Sequence, residues 1–175
     1  MRNSEQKLME IFFIGIIIVA LMVYASTKLK KFTAQQFERE EIDAGKFSLI
    51  KPEGFLHVLN DESKFAFYAY SKEFGKAEAE DMRQAEIFIK SYAEKTFAEV
   101  CDGIKTGAEN IVTFSDAEKI CLIETEKTVE ETDVSEIYKI VEDAKVYELK
   151  ISVLTDFKDD YQERIDEILE SFRVK

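Results

Sequence analysis

The chain is poor in the residues that most enzyme and metal chemistry uses: one His, two Cys, one Pro, six Gly and no Trp among 175 residues. A single imidazole excludes a triad built on more than one histidine, a His-rich metal centre and a relay of imidazoles. Gly75, Gly103 and Gly107 stand apart, with no GxGxxG or GK[ST] run, so a Gly-rich phosphate cradle is missing. Basic side chains number 24 against 36 acidic, a net charge of -12, and nucleic-acid binding needs the reverse balance on at least one face. With 46% hydrophobic residues and so little Gly and Pro, the chain is neither collagen-like, low-complexity nor wholly disordered. No N-x-S/T site marks a secretory lumen, and two cysteines are too few to read a redox compartment.

What the chain does have is one long uncharged run, residues 11–27, between Glu10 and Lys28. As a helix it spans roughly 26 Å, close to a hydrocarbon core about 30 Å thick. Its apolar residues, Ile11, Phe12, Phe13, Ile14, Ile16, Ile17, Ile18, Val19, Leu21, Met22 and Val23, fall on every side and leave no polar stripe. The run reads as a transmembrane anchor, with Lys28, Lys30 and Lys31 as a basic collar at the interface and Tyr24 at headgroup level. The competing reading is a cleaved signal peptide, because Val23-Tyr24-Ala25 fits a small-x-small cleavage pattern; Glu5 and Glu10 before the run argue against it. Arg2, Lys7 and the α-amine balance the collar, so positive charge does not set the orientation. We expect a short cytoplasmic tail at 1–10, a single pass at 11–27, a juxtamembrane linker at 28–45 and an extracytoplasmic α+β domain at 46–175.

Within that domain, periods of two and 3.6 alternate. Strands are predicted at 46–50, 64–71, 110–115, 119–129, 135–141 and 145–154. In the last of these, Tyr147, Leu149, Ile151 and Val153 face one way and Glu148, Lys150 and Ser152 the other. In 64–71 the reading puts Phe65, Phe67 and Ala69 on one face and Ala66, Tyr68 and Tyr70 on the other. Pro52 and Gly54 mark a turn after the first strand. A long helix is predicted over 79–104 from Ala85, Phe88, Ile89, Tyr92, Phe97 and Val100 at three and four spacing, and a closing helix over 156–172. Short connections make the strands antiparallel, giving one sheet of about six strands packed between helices.

Few residues are candidates for chemistry. His57, flanked by Leu56 and Val58, reads as a packing histidine. Cys101 lies on the predicted helical stripe and Cys121 alternates with Ile123 on a strand; each reads as a small core hydrophobe, and the two are a candidate disulfide in an extracytoplasmic domain. The acidic runs, including Glu124, Glu126, Glu130, Glu131, Asp133 and Glu136, and Asp156, Asp159 and Asp160, contain no D-x-D-x-D-G cation loop. Tyr68, Tyr70, Tyr138 and Tyr147, with Phe65 and Phe67, make the sheet aromatic, as core, as the wall of a pocket or as an adhesive face.

Two end motifs carry a family likeness. The strand Phe47-Ser48-Leu49-Ile50 followed by Lys51-Pro52-Glu53-Gly54-Phe55 is similar to the P-x-G-W opening of PsbP-like domains. The ending, from Tyr147-Glu148-Leu149-Lys150-Ile151 through a helix to Ile168-Leu169-Glu170-Ser171-Phe172, resembles their final I-x-x-S-F. That group includes the extrinsic PsbP protein of photosystem II, a Ran-binding nuclear import factor and bacterial exported or lipid-anchored proteins. The likeness covers Gly45 to Lys175, with Phe55 in place of the usual Trp. It implies an α/β/α sandwich around an antiparallel sheet, acting more often as a binding or accessory module than as an enzyme. No residue of this chain matches the family's manganese, Ran or photosystem surfaces, so none of those sites is carried over.

The expected function is therefore a membrane-anchored, non-catalytic accessory domain with a protein partner, the bilayer as its second contact, and no cofactor or metal. The alternative is a small-ligand or cation carrier using an aromatic pocket or an acidic rim. Residues 1–31 hold five basic and two acidic side chains, leaving 19 basic against 34 acidic, or -15, in the remainder. Anionic lipid would repel that remainder while attracting the collar.

Overall fold

The computed structural model describes residues 16–26, 36–58, 65–105, 110–115 and 118–175. The chain divides into two compact units, Met1–Gln36 and Phe37–Lys175. In the first unit, residues 16–26 form helix α1. Its Ile16, Ile17, Ile18, Val19, Leu21, Met22, Val23 and Tyr24 are 47–64% exposed, so large apolar side chains surround the helix. These eleven residues extend about 16 Å, and among the described residues no helix is long and apolar enough to cross a membrane. Ile11, Phe12, Phe13 and Ile14 of the expected anchor, and the collar Lys28, Lys30 and Lys31, lie outside the described residues.

The second unit is α+β and contains two antiparallel sheets. The smaller joins β1 (Glu40–Asp43), β2 (Phe47–Lys51) and β10 (Arg173–Val174) in the order β1-β2-β10. The larger has seven strands rather than about six. They are β3 (Phe55–His57), β4 (Phe67–Ser71), β5 (Ala85–Tyr92), β6 (Asn110–Ser115), β7 (Ile120–Val129), β8 (Thr132–Glu142) and β9 (Val146–Leu154), ordered β3-β4-β5-β9-β8-β7-β6. Helices α2 (Phe97–Lys105) and α3 (Lys158–Ser171) pack on opposite faces of this sheet.

The main core forms where β5 and β9 present Ala85, Ile87, Ile89, Leu149, Ile151 and Val153 to Tyr161, Ile165 and Ile168 of α3. Phe47 of the small sheet closes it, with ring centroids 6.1 Å from Tyr147 and 6.3 Å from Phe172. Each such side chain removed from water contributes about 1.5–3 kcal/mol, and this helps to hold the small sheet on the α3 side of the large one. Residues 40–43, which the sequence places in the linker, pair with β2 and so belong to the folded unit.

The helix expected over 79–104 is instead strand β5 followed by the short α2. Ala85, Ile87 and Ile89 also obey period two, and pairing with both β4 and β9 supplies a ladder on each side that favours the strand. The helix begins only at a capping box. Thr96 Oγ1 accepts from the Glu99 amide at 3.3 Å, and Glu99 Oε2 accepts from the Thr96 amide at 2.8 Å. Phe65 also departs from expectation: β4 starts at Phe67, and the Phe65 ring lies 4.9 Å from Phe88, on the opposite side from Phe67.

Lys51 is fully buried at the end of β2, where its ammonium donates to the Glu38 carbonyl at 2.5 Å and the Phe55 carbonyl at 2.8 Å. It thereby fastens the entry of the chain to β3. Between β7 and β8 a two-residue turn places Glu130 and Glu131 at φ 48° and 68°, a left-handed conformation in which Asn and Gly are the favoured residues.

Candidate functional site

The large sheet is covered unequally. On the α3 side one buried cluster runs across β4, β5, β9 and β8. On the other side α2 reaches only one end, where Phe97, Val100 and Cys101 pack on Cys121, Ile123, Ile140 and Val146. At the opposite end Ala79, Met82 and Phe157 pack with Val134 and Leu154. Between these two ends the face, across β4, β5, β9 and β8, carries aromatic rings and charges instead of a covering layer.

Register assembles this surface in rows. Tyr68, Phe88, Lys150 and Tyr138 stand side by side across the four strands, and the next row holds Tyr70, Glu86, Ser152 and Glu136. Tyr68 and Phe88 stack with centroids 5.0 Å apart. Cations sit against the rings: Arg83 lies 4.3 Å from Tyr70 and 3.8 Å from Phe74, Lys90 5.2 Å from Phe65, and Lys150 5.7 Å from both Phe88 and Tyr138. Such contacts contribute about 0.5–2 kcal/mol each, depending on desolvation. Phe74 is 47% exposed and, outside α1, is the only exposed large hydrophobic residue among those described.

Carboxylates lie beneath this layer. Tyr68 donates to Glu86, Tyr92 to Glu148 and Tyr138 to Glu136, each at 2.6 Å. Burial, and then the carboxylate each hydroxyl serves, push the three tyrosines well above the ordinary range, so they remain neutral donors. Glu136 is 4% exposed and receives Lys150 at 2.5 Å and Lys127 at 2.8 Å. Burial alone would raise its carboxyl, but the hydrogen bonds from Lys127, Lys150 and Tyr138 outweigh burial and hold it at about 2. Arg83, Glu86, Lys127, Glu136 and Lys150 line a pocket of about 210 Å³ on this face.

Other residues singled out from the sequence fall elsewhere. His57 is on β3 with its ring 4.6 Å from Phe67; burial lowers its pKa, Lys51 adds to this and Glu40 opposes it. Cys101 and Cys121 are free, buried and in contact between α2 and β7. Burial, and then the Cys121 thiol beside it, push the Cys101 thiol up to about 12. Glu124 is bound by Lys158 of α3 rather than fully solvated. No group of carboxylates and thiols among the described residues is placed to hold a metal ion. Sequence reasoning named Glu136 only as a member of an acidic run, and missed Arg83, Lys90, Lys127 and Glu86. Strand alternation had already placed Glu148 and Lys150 on one face, but only cross-strand register brings the other residues beside them.

No family model and no curated protein matches the chain. Solved structures do match it in fold. LpqN of Mycobacterium tuberculosis, described as involved in cell envelope biogenesis, aligns with a TM-score of 0.53 at 9% identity, over 79% of this chain and 91% of its own. A Bacteroides thetaiotaomicron protein aligns with a TM-score of 0.50 at 12% identity over 80% of this chain, which spans only 49% of that protein. The matches also include cyanobacterial PsbP from Synechocystis sp. PCC 6803, with a TM-score of 0.48 and 12% identity over 79% of this chain and 92% of its own. At 9–12% identity these likenesses concern the fold alone.

Proposed function

We propose that the protein is a membrane-anchored, non-catalytic accessory domain that docks a protein partner on the open face of its large sheet. The observation that carries this reading is the aromatic and cationic layer left uncovered beside α2. Glu136 and Glu148 are only 4% and 5% exposed, so the groups this face offers to solvent are rings, the half-buried Glu86 and the cations Arg83, Lys90 and Lys127. On a chain with net charge -12, that local excess of cations fits a partner presenting acidic side chains. Aromatic residues with Arg, set over buried polar groups, are the usual composition of an interface centre.

The exposed apolar girdle of α1 supports an anchor formed by residues 11–27, with Lys28, Lys30 and Lys31 at the interface. The envelope role stated for LpqN favours an extracytoplasmic domain. A C-terminal reporter active only outside the cytoplasm should report activity. Docking is tested by placing a photo-crosslinking amino acid at Phe74 or Lys90, and at Glu163 on α3 as control. One stoichiometric partner, acidic at the crosslinked segment and captured only from the first two positions, is the expected result. Equal capture from Glu163, or none from either open-face position, overturns the reading.

A further inference from the structure

Three cations and two carboxylates line the 210 Å³ pocket of the open face. Lys127 and Lys150 both converge on Glu136, one negative charge answered by two positive. Glu86 is engaged by the Tyr68 hydroxyl. Arg83 donates only to the main-chain carbonyls of Ser71 and Lys72, at 3.4 and 3.0 Å, and has no carboxylate partner among the described residues. The pocket therefore carries one positive charge in excess, within a strongly acidic chain. Apart from Ser152, whose hydroxyl donates to Glu136 at 3.3 Å, the rest of its wall is apolar and includes Phe88, Val129 and Val134.

We propose that this pocket binds a small amphiphilic carboxylate, its carboxylate received by Arg83, Lys127 and Lys150 and its short apolar chain laid against Phe88, Val129 and Val134. The charge argument selects the head group. A monoanion cancels the surplus, whereas an ammonium would add to it and a neutral amide would leave it standing. The volume selects the size: at about 30 Å³ per water-sized unit the pocket holds roughly seven such units, a short-chain acid rather than a long acyl chain or a drug-sized ligand. Glu136 has a positioning role. It holds Lys127 and Lys150 in the pocket wall, and its own charge stays fixed while that of the ligand varies.

The proposal is independent of protein docking, because it is read on the purified chain alone and a missing partner leaves it intact. The full chain in zwitterionic-lipid nanodiscs is titrated with hexanoate, hexanamide, hexylammonium and acetate while the methyl signals of Val129 and Val134 are followed by NMR. Hexanoate should saturate with a Kd of about 1 mM, and hexanamide and hexylammonium should bind at least roughly tenfold more weakly. Acetate, which lacks the methylenes that meet the apolar wall, should also fall by roughly tenfold or more. Lys127→Gln and Arg83→Gln should each weaken hexanoate by roughly fivefold while the chain stays folded, and Lys46→Gln, on the small-sheet side, should not. Lys127 is exposed, so its variant keeps the test open if Arg83→Gln fails to fold. Absence of saturation by about 20 mM, equal binding of hexanamide or acetate, or folded variants that bind like the parent would overturn the proposal.

Discussion

Lys150 Nζ lies 2.5 Å from Glu136 Oε1 in the middle of the open face. The carboxyl is held at about 2 in the folded chain against 4.5 for the free group. A depressed carboxylate stabilises the fold fully above about pH 4.5, and that contribution is lost as the pH falls towards about 2. At most it amounts to about 3 kcal/mol. Urea unfolding followed between those limits should show stability falling with pH, and Glu136→Gln should flatten that part of the curve. An unchanged slope in the variant would remove Glu136 as its source.

The contact of Cys101 with Cys121 predicts inertness. Burial and the neighbouring Cys121 push the Cys101 thiol well up, so it holds little of the reactive thiolate at pH 8. Iodoacetamide should leave both thiols intact in the native protein and label both after unfolding. Thr96→Ala removes the cap of α2 at a cost of about 1 kcal/mol, and should speed Cys101 labelling without a comparable loss of global stability. The same adjacency makes the pair the candidate bridge of an oxidised chain, which a mass lower by two hydrogens under non-reducing conditions would identify.

Lys51 carries a different risk. Its ammonium serves the carbonyls of Glu38 and Phe55 in a fully buried position, so Lys51→Met fills the space but strands both acceptors. A loss of about 2–4 kcal/mol is expected in denaturant unfolding. Lys51→Arg should not restore full stability, because a larger planar head must enter a fully buried position whose two carbonyls are set for a compact ammonium.

At the Glu130-Glu131 turn a gain is expected. Replacement by Asn-Gly suits the left-handed backbone and should stabilise the chain by about 1 kcal/mol in thermal or urea unfolding. Pro at either position should reverse the sign.

The anchor is tested by charge. Ile17→Lys together with Leu21→Lys places two ammonium groups in α1, each costing about 2.5–3.5 kcal/mol at a helix centre in the bilayer. The parent should remain in the membrane pellet after carbonate extraction and the double variant should move to the supernatant. A parent chain shortened after Ala25 would show cleavage instead.

These results also show which parts of the fold the sequence exposes. Strand β9 is legible because Tyr147, Leu149, Ile151 and Val153 alternate with Glu148, Lys150 and Ser152 through the middle of its nine residues. The closing helix is legible for the same reason at its own period, through Tyr161, Ile165 and Ile168. Strand β5 is not: Ala85, Ile89 and Tyr92 also fit a helical stripe, and only the Thr96 to Glu99 capping box marks where the helix begins. Strand β1 is hidden because three of its four residues are charged and Ile42 alone is buried. The candidate site lies between these extremes. Each strand declares its outward residues, but Tyr68 meets Glu86 and Tyr138 meets Lys150 only through a register that no single segment encodes.

The small sheet has a mechanical consequence. Strand β2 is flanked by β1, through which the chain enters the unit, and by β10, through which it leaves, both antiparallel to it. A pull between residues 37 and 175 draws β1 and β10 in opposite senses along their axes, so their ladders with β2 are loaded in shear and must slip together rather than unzip singly. The load passes through three strands and bypasses the seven-stranded sheet. Tension carried through both ends of the unit would therefore leave the open face undistorted until β2 lets go.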